Sequence, residues 1–276
     1  MTRIIVITSG KGGVGKTTIT ANLGIALAKM GYQVALVDAD FELRNLDLLL
    51  GLEKRVIYSL FDVLARECRL EQALIKDKRQ PGLVLLPAGK KRNKESVTPE
   101  QIKSLLNDLA QKYQYVLIDS PAGIDTGFQN AIAAATEALV VTTPEISSVR
   151  DANRVISLLE AEKIKPIQLI INRVRPRMVR DLNMMSPEDV QELLAIPLIG
   201  SICEDERVIV STNHGDPLVL GKNKSPAVVA FNQIAHSLGG EKVNKSLDVD
   251  LSNDRILDRG STIDPTTDFI SLYPYF

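Results

Sequence analysis

Short apolar runs recur along the chain with little polar alternation inside them. They are Ile4-Ile5-Val6-Ile7, Val34-Ala35-Leu36-Val37, Leu83–Pro87, Tyr115–Asp119, Ala138–Thr142, Ile167–Asn172 and Leu198–Ile202. Runs of this kind suit strands buried on both faces of a sheet. Between several of them the period changes to that of a helix. Ile19, Leu23, Leu27 and Met30 share one side of a segment that Gly31 closes as a C-terminal cap. Thr98-Pro99-Glu100-Gln101 combines a capping box with proline at the first helical position, and Ile102, Leu105, Leu106 and Leu109 follow on one face. Ser186-Pro187-Glu188-Asp189 opens another helix in the same way, with Val190, Leu193 and Leu194 inward, and Val149, Ile156 and Leu159 mark a helix over 147–160. Strands alternating with helices predict an α/β fold: a doubly wound, mainly parallel sheet flanked by helices, with ligands at the carboxyl ends of the strands.

The first strand runs into Ser9-Gly-Lys-Gly-Gly-Val-Gly-Lys-Thr-Thr18, which satisfies G-x-x-x-x-G-K-[ST] from Gly10 to Thr17. In that pattern the backbone N–H groups of a glycine-rich loop cradle phosphates, a lysine reaches the outer phosphates and a hydroxyl holds magnesium. The expected ligand is a nucleoside triphosphate with a magnesium ion. The backbone of Gly10, Lys11, Gly12, Gly13, Val14, Gly15, Lys16, Thr17 and Thr18 forms its phosphate cradle. Lys11 is not required by the pattern. Beside Lys16 it would crowd a like charge, so it is expected to serve something other than the loop's own ligand.

Asp38 and Asp119 each end a buried strand and belong on the edge where the phosphate loop opens. Near Thr17, carboxylates there can bind magnesium directly or through water. Asp40 lies in a loop with Arg44, Asn45 and Asp47 that can sense a terminal phosphate. Asp119-Ser120-Pro121-Ala122-Gly123 is a second such segment, in which Gly123 can bring a backbone N–H close to that phosphate.

Composition changes the picture in a few respects. The 276 residues carry a formal charge of -1, which argues against a broad field for nucleic acid. Cys68 and Cys203 stand alone, as in a reducing compartment. No apolar run approaches a membrane span, and the first strand begins almost at Met1, leaving no room for a signal or transit peptide. The expected location is a cytoplasm, or an organelle interior such as a plastid stroma if the chain is organelle-encoded. Two parts are expected: a phosphate-loop domain over 1–240 and a tail over 241–276. The tail holds seven acidic and four basic residues, a balance of -3, without a bulky apolar stripe, and it reads as disordered. Lys90-Lys91-Arg92-Asn93-Lys94 reads as a solvated loop, with contact to anionic lipid or nucleic acid as the alternative.

Taken together these residues resemble the ParA/MinD class of ATPases, whose deviant Walker A motif carries the extra lysine found here as Lys11. Arg3–Ser9, Leu43–Leu48 and Asp119–Gly127 narrow the likeness to the division-site branch of that class. Gln72–Arg79, Pro144–Asp151 and Ser186–Val190 extend it, over about residues 2 to 239. The resemblance implies a P-loop ATPase that forms a homodimer with ATP, binds the anionic inner membrane peripherally, recruits a MinC-like division inhibitor and is discharged by a MinE-like activator. It implies that Lys11 crosses to the partner protomer's phosphates. Asp40 is implied to position the attacking water and Asn172 to recognise adenine, and the family's partner surface is implied to fall on the helix carrying Glu145, Ser148, Arg150 and Asp151. Lys11, Lys16 and Asp40 are thus the catalytic expectations, and Thr17, Asp38 and Asp119 the metal ones. The family's basic amphipathic end is not visible in the tail, and Cys203 stands where the family has proline beside the base. A DNA-partitioning ATPase of the same class is the alternative reading.

Overall fold

A computed structural model describes residues 2–89, 97–222 and 224–241. The basic loop 90–94 and the acidic tail beyond Glu241 lie outside the described residues.

Among the described residues eight strands form one sheet: β1 Arg3–Thr8, β2 Val34–Asp38, β3 Ile75–Lys76, β4 Leu83–Leu86, β5 Tyr115–Asp119, β6 Glu137–Thr142, β7 Ile167–Val174 and β8 Leu198–Cys203. Their order is β3-β4-β2-β5-β1-β6-β7-β8, and every neighbouring pair is parallel except β3 with β4. The seven runs expected as strands are all present. The edge strand β3 was not expected, because Ile75-Lys76 is too short and too polar to stand out as a run. From β1 the chain builds β2, β4 and β5 on one side and β6 to β8 on the other. The strand order therefore switches direction beside β1, and the loop after β1 opens at that crevice.

The helices are α1 Lys16–Lys29, α2 Leu46–Leu49, α3 Leu60–Leu64, α4 Leu70–Ala73, α5 Pro99–Ala110, α6 Thr126–Ile132, α7 Ile146–Ala161, α8 Pro176–Arg180, α9 Pro187–Leu194, α10 Glu206–Asn213 and α11 Pro226–Leu238. Successive strand residues point to opposite faces, so each central strand feeds two cores. Val6, Val37, Ile118 and Val140 pack with Leu106, Phe128 and Val155 on one face. On the other, Ile5, Ile7, Leu36 and Leu117 pack with Leu23 and Leu27 of α1 and with Phe231 and Ile234 of α11.

Three local expectations reappear as geometry. Thr98 and Gln101 exchange capping hydrogen bonds of 3.0 and 3.3 Å, Ser186 and Asp189 bonds of 2.8 and 3.1 Å, and Gly31 takes the left-handed φ of +93° that ends α1. The helix α1 is buried around most of its circumference rather than on one side, because α11 covers its outer face. Its Gly24 admits Leu36 of β2: a Cβ there would lie 2.5 Å from a Leu36 methyl.

Candidate nucleotide site

The loops after β1, β2 and β5 meet at the carboxyl edge of the sheet, with Asn172 of β7 against the first of them. Gly13 and Gly15 have φ of +77° and +101°, values that glycine adopts without strain, and they turn the chain from β1 into α1. Gly15 is the N-cap of α1 and offers no side chain to the first-turn N–H groups, which therefore face outward as an anion site. Gly10 is needed for a different reason: a Cβ there would lie 2.2 Å from the carbonyl oxygen of Asp151 in α7. Val14 is buried in the core, and its carbonyl accepts a 2.8 Å hydrogen bond from Asn172 Nδ2.

Lys16 is buried and its Nζ donates to Ser9 Oγ at 3.0 Å. Burial lowers its pKa, while the charges of Asp119 and Asp40 pull it back up. Asp38 and Asp119 are register partners at the ends of β2 and β5, and both are buried. Burial pushes the Asp119 carboxyl up to about 7, against hydrogen bonding from the Thr17 hydroxyl and the attraction of Lys16. Asp38 is held well above the usual carboxylate range by burial first and by the charge of Asp119 second. It caps two backbone N–H groups, Asp40 at 3.0 Å and Leu46 at 3.4 Å, and so shapes the loop into α2.

Two buried carboxylates that burial disfavours as anions, beside the Thr17 hydroxyl, are a donor set that a hard divalent cation satisfies. Among the described residues no group of three or more His, Cys, Asp or Glu forms a metal cage. An ion here would depend on phosphate oxygens, Thr17 and water, which is how magnesium, reluctant to dehydrate, sits at phosphate loops.

The remaining expected residues are placed less directly. Asp40 uses Oδ1 to accept from the N–H groups of Glu42 and Leu43 at 3.2 and 3.0 Å, so its carboxylate closes its own turn. Gly123 is left-handed, with φ of +89°, and its N–H donates to Ser9 O at 3.1 Å. The Lys11 ammonium lies 3.1 Å from Glu145 Oε2 and 3.2 Å from Ser147 Oγ at the start of α7. Glu145 and Arg150 are exposed, as a partner surface requires. Ser148 of the same helix is buried on its inward side, and its Oγ bonds Thr142 Oγ1 at 3.0 Å and Thr143 N at 3.2 Å. Cys203 ends β8 half-buried, with its thiol pKa raised by burial and by Asp205.

Sequence reasoning missed Thr20, whose Oγ1 lies 3.3 Å from Asp119 Oδ1. Its signal was available, since Thr20 stands one helical turn beyond Lys16 and Thr17. It also missed Asn22, whose Oδ1 accepts from Val219 N at 3.0 Å in the short helical turn Leu218–Leu220.

A phosphate loop at the switch point of a mainly parallel sheet, with buried strand-end aspartates, defines a P-loop nucleotide-binding protein. The family model for the CobQ/CobB/MinD/ParA nucleotide binding domain matches residues 5–218. The septum site-determining protein MinD of Synechocystis is 58% identical over 243 residues, 88% of this chain and 91% of that protein. A Guillardia theta relative given the same name provisionally is 67% identical over 243 residues, covering 88% and 90%. Among solved structures, the MinC:MinD cell division protein complex of Aquifex aeolicus superposes with a TM-score of 0.83 at 46% identity, over 88% of this chain and 97% of that one. The Pyrococcus horikoshii septum site-determining protein complexed with Mg-ADP gives 0.78 at 36% identity, over 86% and 96%. The chain belongs to the MinD family of septum site-determining proteins.

Proposed function

We propose that this chain is a magnesium-dependent ATPase switch that dimerises when it holds ATP and regulates division-site placement by carrying a MinC-like inhibitor to an anionic membrane surface. The observation that carries this reading is the buried set of Lys16, Asp38 and Asp119 behind the left-handed turns at Gly13 and Gly15. Lys16 would meet the outer phosphates, and Thr17, with Asp38 and Asp119 beside it, would hold a magnesium ion. Bound there, magnesium would supply neutralisation of the charge on the transferred phosphoryl group. Asp40 orients the attacking water once it leaves the turn it closes, and Gly123 offers its N–H to the terminal phosphate once it leaves Ser9. Lys11 leaves Glu145 and Ser147 for the partner protomer's phosphates, where a cation supplied in trans is worth about 10³ to 10⁵ in rate in related nucleotide switches. Asn172 contacts the adenine.

The Aquifex complex supports a MinC-like partner, and a MinE-like activator completes the cycle. The chain works inside a cytoplasm or an organelle interior such as a plastid stroma, peripheral on the inner membrane. Among the described residues no helix is long and apolar enough to cross a membrane. The test is sedimentation with anionic liposomes in ATP and in ADP. Pelleting in ATP alone is expected. Failure to pellet, together with DNA retention in ATP that weakens steeply with salt, would replace this reading with the DNA-partitioning one.

A further inference from the structure

The stretch Gln72–Arg79 is not used by nucleotide binding, yet its last residue bolts together two segments that begin at opposite sides of the site. The Arg79 guanidinium forks onto Asp77, with Nε 3.1 Å from Oδ1 and Nη2 2.7 Å from Oδ2, and Asp77 is itself buried. The same Nη2 donates to Leu50 O at 2.5 Å, just past the end of α2. Nη1 donates to Gly215 O at 3.1 Å and Asp216 Oδ1 at 3.3 Å, just past the end of α10. At this point the two backbones touch: a Cβ on Gly51 would lie 2.5 Å from Gly215 O, and one on Gly215 2.7 Å from Gly51 Cα.

Each bolted segment leads back to a different part of the site. The helix α2 starts from the loop that Asp38 caps through Leu46 N, on the magnesium side. The helix α10 follows β8, which pairs with β7, the strand carrying Asn172 on the base side. Beyond Asp216, Val219 is tied to α1 by Asn22 and by Lys29 Nζ, the latter at 2.5 Å, and Asn22 Nδ2 also holds Thr18 O at 2.8 Å. A planar fork that satisfies five acceptor atoms from three chain segments has a geometry that an ammonium does not reproduce.

We propose that Arg79 is a positioning residue that makes the magnesium side and the base side of the nucleotide site move as one body, so that an occupied base site strengthens magnesium binding. This rests on the nucleotide reading above. The test compares the parent chain with Arg79→Gln, Arg79→Lys and Gly51→Ala, the last forcing the same two segments apart without touching the arginine. Calorimetry gives the factor by which magnesium tightens binding of ADP, and the same factor for inorganic pyrophosphate, which has the phosphates and no base. All three variants are expected to lose about tenfold of the ADP factor and to keep the pyrophosphate factor within about twofold. Melting curves on the same samples confirm that the variants are folded. Equal losses for both ligands, or no loss for either, overturn the proposal and leave Arg79 a structural residue. A parent chain that binds no Mg·ADP overturns the nucleotide reading and this inference with it, an outcome distinct from a failure confined to the variants.

Discussion

Asp38 and Asp119 end neighbouring parallel strands in register, so two buried carboxyl groups lie side by side at the mouth of the phosphate loop. Without a cation both are disfavoured as anions, and the Asp119 carboxyl is pushed up to about 7. In the unfolded chain it titrates near 4. Below that pH the group is protonated in both states and costs nothing. Between about 4 and 7 the native chain keeps a proton that the unfolded chain has lost, so stability falls as pH rises, and above about 7 the loss levels off. Asp119→Asn is therefore expected to raise the melting temperature of the ligand-free protein more at pH 8 than at pH 5, on the order of 1 kcal/mol per pH unit crossed. Magnesium nucleotide requires the anion, so Mg·ADP affinity should rise from pH 6 to pH 8 with release of a proton. Thermal melts across the range and calorimetry in two buffers of different ionisation heat check both. A melting gain independent of pH removes the titration account.

The two loop lysines should separate cleanly. Lys16 is buried against Ser9, whereas Lys11 is half-exposed on Glu145, an exposed ion pair worth no more than about 1 kcal/mol. Lys16→Ala is expected to abolish tight ATP binding and with it the dimer. Lys11→Ala should keep most of the binding and the melting temperature, and lose ATP-dependent dimers. Analytical ultracentrifugation of both variants with ATP decides it, and intact dimers in Lys11→Ala would sink the interface role.

How much of this was legible follows from the kind of signal each feature leaves. Buried parallel strands announce themselves as unbroken apolar runs, and the phosphate loop as a glycine pattern, so β1, β2, β5 and the site's centre were readable. The covering of α1 by α11 was not, because an apolar face on α11 does not say which element it meets. Ser148 illustrates the same limit: whether a helix residue points in or out depends on the neighbour against which the helix packs, and α7 packs on β6. The contacts of Asn172 with Val14 and of Arg79 with Leu50 and Gly215 join residues far apart in sequence through backbone carbonyls. A backbone acceptor carries no residue type, so no motif marks it.

Gly10 and Gly12 are both loop glycines, but they should respond differently to alanine. At Gly10 the new methyl meets the Asp151 backbone at 2.2 Å, and α7 is fixed there by the buried Val149, Ala152 and Val155. The nearest atom at Gly12 is the Ala122 Cβ at 3.9 Å, an ordinary contact. Gly10→Ala is expected to destabilise the fold by about 1–3 kcal/mol, the usual cost of overpacking, and to weaken ADP binding at least tenfold by displacing the loop, at roughly 1.4 kcal/mol per tenfold. Gly12→Ala should leave the melting temperature unchanged. Denaturant unfolding of the two variants checks this, and matched losses of stability would count against the packing account.

Asn172 makes a loop contact in addition to the adenine recognition that the resemblance implies. Its Nδ2 donates to Val14 O within the phosphate loop, and it lies so close to Gly15 that a Cβ there would be 2.4 Å from it. The side chain therefore braces the loop whether or not a base is present. Asn172→Ala removes the donor and leaves a backbone carbonyl unmatched, at about 1–2 kcal/mol. Asn172→Asp is expected to be worse, because it sets a carboxylate oxygen against that carbonyl. If the brace matters, both variants weaken pyrophosphate binding as well as ADP binding, since pyrophosphate reads only the loop. If Asn172 serves the base alone, ADP binding falls and pyrophosphate binding stays at the parent value. Titrating both ligands by calorimetry into Asn172→Ala and the parent chain distinguishes the two, and the geometry favours losses for both.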